Sequence, residues 1–201
     1  MAPADRIAAL LPAIAARMAV DLRQVDITVV PDAESLGMIG KAPGLQTTSG
    51  PAGTYRAHAG SPHIAISESQ TTKPISLIAT IVHELSHLRL LGEGRVQQSQ
   101  RDLEQITDLA TVFFGFGIFS ANASFDFTQS STGWRRTELG YLGEAMFGFA
   151  LGVYADMRGE AHPPWTADLD TNPRTYMRNS QKYLARTGLL SRNMQTADRG
   201  R

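Results

Sequence analysis

Apolar positions near the start of the chain recur at helical spacing. Ile7, Leu10, Leu11, Ile14 and Met18 fall three or four residues apart and predict an amphipathic helix over about residues 4–20. The period then changes, because Val25 to Val30 is β-branched and stops at Pro31-Asp32, the pattern of a strand ending in a turn. Gly37 to Gly53 is rich in Gly, Pro, Ser and Thr and reads as a long loop. Thr54–His58 and His63–Ser67 are short candidate strands joined by Ala59-Gly60-Ser61-Pro62, a hairpin in which Ile64 and Ile66 share one face.

Helical spacing returns at Ile75, Ile78, Val82, Leu85 and Leu88, with Thr71 and Thr72 placed to cap and Pro74 in the first turn, and this helix should end near Gly92. A second helix is expected to begin after Ser99, with Asp102 three residues on as an imperfect capping box. Leu103, Ile106, Leu109, Ala110 and Phe113 carry it to about Phe119. Asn122 to Thr137 is polar and reads as a loop. Glu138 to Arg158 is again helical in period, thinned by glycines that allow close packing. Pro163-Pro164-Trp165 breaks the chain, Pro173 opens a last helix through about Leu184, and the tail from Ser191 looks frayed. The pattern predicts an α+β fold, mostly helical with a small β-sheet. It forms one domain over residues 1–201: an N-terminal helix and sheet (1–70), a helix pair (71–120), C-terminal helices (121–190) and a tail (191–201).

Composition narrows the chemistry. Apolar residues at 42% and charged residues at 19% describe an ordinary globular chain. Nineteen basic and nineteen acidic side chains cancel, so no overall field favours nucleic acid or an anionic membrane, and neither partner is expected. The chain has no cysteine, which removes disulfides, thiolate catalysis and Cys-ligated zinc, so any metal must be held by His, Asp or Glu. The first 22 residues lack a basic start followed by a long uncharged apolar run, and no apolar stretch approaches the roughly 20 residues of a membrane span. A cytoplasmic location is the expectation.

His83 and His87 stand four apart, so on a helix their imidazoles leave one face about a turn apart and can grip a single ion. Glu84, beside the first of them, is placed to act as general base on water held at the open position of a catalytic metal. Such a metal needs a third protein ligand. Glu104 lies on the second predicted helix with Asp108 four residues later, and the two carboxylates share a face opposite the apolar stripe. Glu104 can ligate while Asp108 accepts the other N–H of a ligand histidine and fixes its tautomer. Glu93 is the rival third ligand, ten residues after His83, but Leu90 stands where the extended HExxHxxGxxH pattern needs its glycine.

His83-Glu84-Leu85-Ser86-His87 followed by Glu104-Gln105-Ile106-Thr107-Asp108 resembles the zincin metallopeptidases, and within them the gluzincin arrangement of HExxH with a later ExxxD. The segment from Leu90-Leu91-Gly92 through Phe113-Phe114-Gly115-Phe116-Gly117 is similar to small bacterial proteins that carry this signature. The resemblance implies a minimal zincin-like fold with the small sheet packed on the active-site helix, and one Zn2+ per chain held by His83, His87 and Glu104. It also implies a peptide or protein substrate, with His63 to Ser67 as the edge strand that pairs with it. Tyr141, Arg135 and His162 are the candidates for stabilising the oxyanion. Two other readings compete: a zinc-containing binding or regulatory module without peptidase activity, and a helical interaction domain without metal.

Overall fold

The structure is a computed structural model that describes residues 2–32, 52–58, 61–129 and 142–188. Helix α1 spans Pro3–Arg17, opening on a proline whose missing N–H costs nothing in the first turn, and it buries Ile7 and Ile14 toward the core. Three strands follow: β1 (Asp26–Val30), β2 (Gly53–His58) and β3 (Ser61–Ser67). Their order is β1-β3-β2, with β1 parallel and β2 antiparallel to β3. The hairpin is tighter than its sequence suggests, since His58 faces Ser61 in the register. The sheet order corrects one expectation: β3, containing His63 to Ser67, is the central strand, and the edge strands are β1 and β2.

Helix α2 covers Pro74–His87 and continues as a π-helical turn over Leu88–Gly92, so the chain leaves it near the predicted glycine. Thr71 and Thr72 do not cap it. They lie in a 3-10 turn, Glu68–Thr72, and donate their hydroxyls to the carbonyls of Glu68 and Ser69. The helix expected to reach Phe119 is two helices, α3 (Leu103–Phe113) and α4 (Gly117–Gln129). The cause is local. Gly115 adopts a left-handed φ of 87°, which stops α3. A Cβ on Gly117 would stand 2.8 Å from Val112 Cγ2, so only glycine lets α4 fold back this closely. The expected loop after Asn122 is accordingly helical as far as Gln129, and its remainder falls in 130–141, outside the described residues. So does the expected loop at 37–53, apart from Ala52 and Gly53.

Helices α5 (Glu144–Met157) and α6 (Thr171–Thr187) complete the fold. They pack closely because α5 offers glycines to α6: a Cβ on Gly152 would lie 2.9 Å from Ser180 Cβ, and one on Gly148 would collide with Tyr176. Two apolar clusters result. One joins α1 and β3 to α2 through Met18, Ile64, Ile66, Ile81, Val82 and Leu85. The other joins α3, α4, α5 and α6 through Val112, Ala121, Phe147, Leu151 and Met177. Each fully buried side chain of this kind contributes about 1.5–3 kcal/mol. Helix α2 is anchored by the first cluster and α3 by the second, which fixes the two chemistry-bearing helices against each other. Among the described residues no helix is long and apolar enough to cross a membrane.

Candidate metal centre

The inner face of α2 carries the two histidines, whose rings meet edge to face at 4.9 Å between centroids. Helix α3 supplies the counterpart. Glu104 Oε2 lies 3.2 Å from His83 Nε2 and 3.3 Å from His87 Nε2. One atom from each of His83, His87 and Glu104 falls within a 4.8 Å cluster, a group that could hold a metal ion. Glu93 is elsewhere: its carboxylate pairs with Arg89 and with Arg95 at 2.7 Å.

The other nitrogen of each ring is also engaged. His83 Nδ1 lies 2.9 Å from Asp108 Oδ1, and the second oxygen of Asp108 accepts the backbone N–H of Leu142 at 3.0 Å. Asp108 is buried and stands against His83, where its carboxylate was expected to meet a histidine N–H. It sits between helices because it has two donors to satisfy there. His87 Nδ1 faces Thr107 Oγ1 at 3.4 Å. The Thr107 hydroxyl already gives its proton to the Leu103 carbonyl at 2.8 Å, so toward His87 it can only accept. Both rings are thereby held with Nδ1–H turned to α3 and Nε2 turned to Glu104.

Electrostatics agrees with a cation site. Burial alone would lower the pKa of His83, but its bonds to Asp108 and Glu104 and the charge of Glu84 outweigh this and raise it to about 10. Burial would raise Glu104, yet the two histidines hold it down at about 2. A cluster that draws a proton this strongly has an excess of anionic and lone-pair donors, and a divalent cation satisfies the same donors.

Glu84 touches Gly53 and Tyr55 of β2 and remains within electrostatic reach of His83, His87 and Glu104. It is 5% exposed and accepts the backbone N–H of Tyr55, and burial raises its pKa. That N–H is available because Ala52, two residues before Thr54, bonds to Ser67 of β3, so the alternate residues Gly53 and Tyr55 turn their backbone groups to the free edge. A Cβ on Gly53 would lie 2.8 Å from Glu84 Oε1 and from Thr80 Cγ2, so the strand can touch the carboxylate only as glycine. Glu84 Oε2 is buried and has no hydrogen-bond partner among the described residues. The Tyr55 ring stacks on His87 at 6.1 Å.

The four residues read from the sequence as ligands and base are thus brought together, with Asp108 on His83. Thr107, Gly53 and Tyr55 were missed. Only Tyr55 left a signal, since it alternates in register with Ile64 and therefore belongs to the helix-facing side of the sheet. His63 lies apart, 3.1 Å from Thr28 Oγ1, and His162 is exposed; Arg135 and Tyr141 lie outside the described residues. The chain matches no family model, no curated protein and no solved structure, so its chemistry is argued from these residues alone.

Proposed function

We propose that this protein is a zinc-dependent hydrolase, a small metallopeptidase that cleaves peptide bonds with Glu84 as general base. The observation that carries the reading is the convergence of His83 Nε2 and His87 Nε2 on Glu104 Oε2, with the unpartnered Oε2 of Glu84 beside them. Three N/O ligands from two helices, with no fourth among the described residues, fit the donor set of a catalytic zinc site. The metal, when bound, supplies Lewis acidity that polarises a carbonyl and lowers the pKa of water.

The remaining work falls to the chain's own side chains. His83 and His87 are held in the ligating tautomer by Asp108 and Thr107. Glu84 accepts the proton of the attacking water at its free oxygen and returns it to the leaving amine, a role suited to a carboxylate whose burial has raised its pKa. An extended peptide would pair with main-chain groups on the outer edge of β2 other than the Tyr55 N–H, which Glu84 holds.

Zinc content and cleavage of a peptide library from denatured proteins test this together. Wild type and Glu84→Gln are expected to hold about one zinc per chain, and His83→Ala and Glu104→Ala to lose it, with cleavage seen in wild type alone. Absence of zinc from wild type refutes the proposal. One observation favours a second reading: Glu84 is nearly closed off beneath Gly53 and Tyr55, as in a metal-holding binding module. Zinc-loaded wild type with no cleavage above the Glu84→Gln level selects that module.

A further inference from the structure

Net charge conceals how the charges are distributed. Residues 171–201 hold seven of the nineteen basic side chains and one acidic residue, Asp198, which leaves the first 170 residues with twelve basic and eighteen acidic. Within this region, α6 carries Arg174, Arg178, Lys182 and Arg186 at four-residue spacing and no carboxylate. Its apolar positions, Pro173, Met177 and Leu184, are buried. Arg174 serves the fold by donating to the carbonyls of Ala167 and Leu169. Arg178, Lys182 and Arg186 are exposed, and no ion pair is made to them among the described residues. Glu160 is paired with Arg158 and Trp165, and Glu144 Oε2 accepts from Asn172.

We propose that the outward face of α6 binds the phosphate backbone of single-stranded nucleic acid. Four helical residues rise about 6 Å, so the three cations form a regular row that a polyanion with charge at every unit can follow. Beside this row Tyr183, next to Lys182 and three residues before Arg186, leaves 46% of its surface exposed. Cations that track a backbone next to aromatic faces on which bases stack are the two parts of a single-strand surface. An anionic bilayer is less suited to it, because the apolar side of α6 is used against α5 and nothing but tyrosine remains to enter the lipid. An acidic peptide offers neither the regular charge nor flat rings for the tyrosine. The expectation of no nucleic-acid partner came from the total charge, and a total of zero says nothing about a face on which one sign is segregated. The surface is independent of the metal reading and stands or falls separately.

The test is fluorescence anisotropy of a labelled oligothymidylate of about twenty nucleotides with the full chain. Three phosphate contacts predict a loss of affinity of roughly 20-fold between about 50 and 200 mM salt. Arg178→Gln/Lys182→Gln/Arg186→Gln is expected to lose at least about tenfold in affinity and to flatten the salt dependence, with melting temperature and zinc content unchanged. Should the triple variant melt lower, Lys182→Gln alone gives the same comparison, reducing the salt slope by about 0.7. Tyr183→Ala is expected to weaken binding about fivefold or more with the slope unchanged, separating stacking from charge. No oligonucleotide binding at low salt, unchanged binding in the triple variant, or preference for phosphatidylserine vesicles or polyglutamate over the oligonucleotide would each overturn the proposal.

Discussion

Asp108→Asn is the change that the metal centre should tolerate least for its size. The carboxylate accepts from two donors at once, His83 Nδ1–H at 2.9 Å and the Leu142 N–H at 3.0 Å, in a position that is 4% exposed. Asparagine has the same shape but one acceptor oxygen and one NH2. If its oxygen faces His83, its NH2 confronts the Leu142 N–H, and a buried donor is left unsatisfied at a cost of about 1–3 kcal/mol. If its oxygen faces Leu142, the NH2 faces His83, whose Nδ1 must then accept. The ring is forced into the tautomer with a proton on Nε2, where a metal would bind. The first arrangement lowers the stability of the metal-free protein, and the second lowers zinc affinity by about 10–100-fold, the usual loss when the partner of a ligand histidine is removed. Zinc affinity by competition with a chromophoric chelator, and denaturant unfolding of the chelated protein, read the two costs separately. An Asp108→Asn protein with wild-type values in both assays would show that the Asp108 contacts do not order His83.

Other residues give sharper contrasts. Gly53→Ala places a methyl 2.8 Å from Glu84 Oε1, so the carboxylate or β2 must move by a large part of an ångström; zinc content should stay at the wild-type level while kcat/KM falls by about 100-fold, and full activity would refute the contact. Thr107→Val removes the acceptor for His87 Nδ1–H and should weaken zinc by about tenfold, whereas Thr107→Ser should stay within about twofold; equal affinities would exclude Thr107 as the group that sets the His87 tautomer. For the metal-free protein the pH dependence has a definite sign. The raised pKa of His83 contributes stability that is complete below its unfolded value of 6.5 and is lost as pH rises toward about 10. The lowered pKa of Glu104 contributes stability that is complete above 4.5 and is lost as pH falls toward about 2. Melting temperature in chelator should therefore peak between these limits and decline from pH 7 to 9, and a rise over that interval would contradict the assigned pairing.

Much of this was legible in residue spacing, and the failures share a cause. His83, Glu84 and His87 follow from helical period alone, and Glu104 with Asp108 from the same period on the next helix, because a chelate needs side chains on one face and a helix repeats its face every four residues. What spacing cannot show is which element stands opposite. The second donor to Asp108 was not legible, since the Leu142 N–H arrives from a segment 34 residues away. The edge strand was misassigned because it was carried over from the family resemblance, and only the strand pairing shows that β3 lies between the others. The break at Gly115 was hidden by Phe113, Phe114, Phe116 and Phe119, whose apolar run continues through a turn that a single left-handed glycine makes. Gly53 gave no signal at all: its importance is the absence of a side chain next to Glu84.

The geometry divides the centre into two parts that answer to different neighbours. Glu104, Thr107 and Asp108 lie within five residues on α3, so one helix carries the proposed third ligand and both groups that contact the histidines' Nδ1 atoms. Anything that shifts α3 against α2 disturbs all three together, and metal binding should be correspondingly cooperative with helix packing. Glu84 is on the same turn of α2 as His83 but is governed by β2, through the Tyr55 N–H and the bare backbone of Gly53. Holding the metal and positioning the base are therefore separable by mutation: Thr107 and Asp108 belong to the first, and Gly53 belongs to the second. An enzyme and a metal-holding module would share the α2–α3 part without difference. What distinguishes them is whether the contact between β2 and Glu84 leaves room for water and a peptide, so the variants of β2 carry more information about function than those of the ligands.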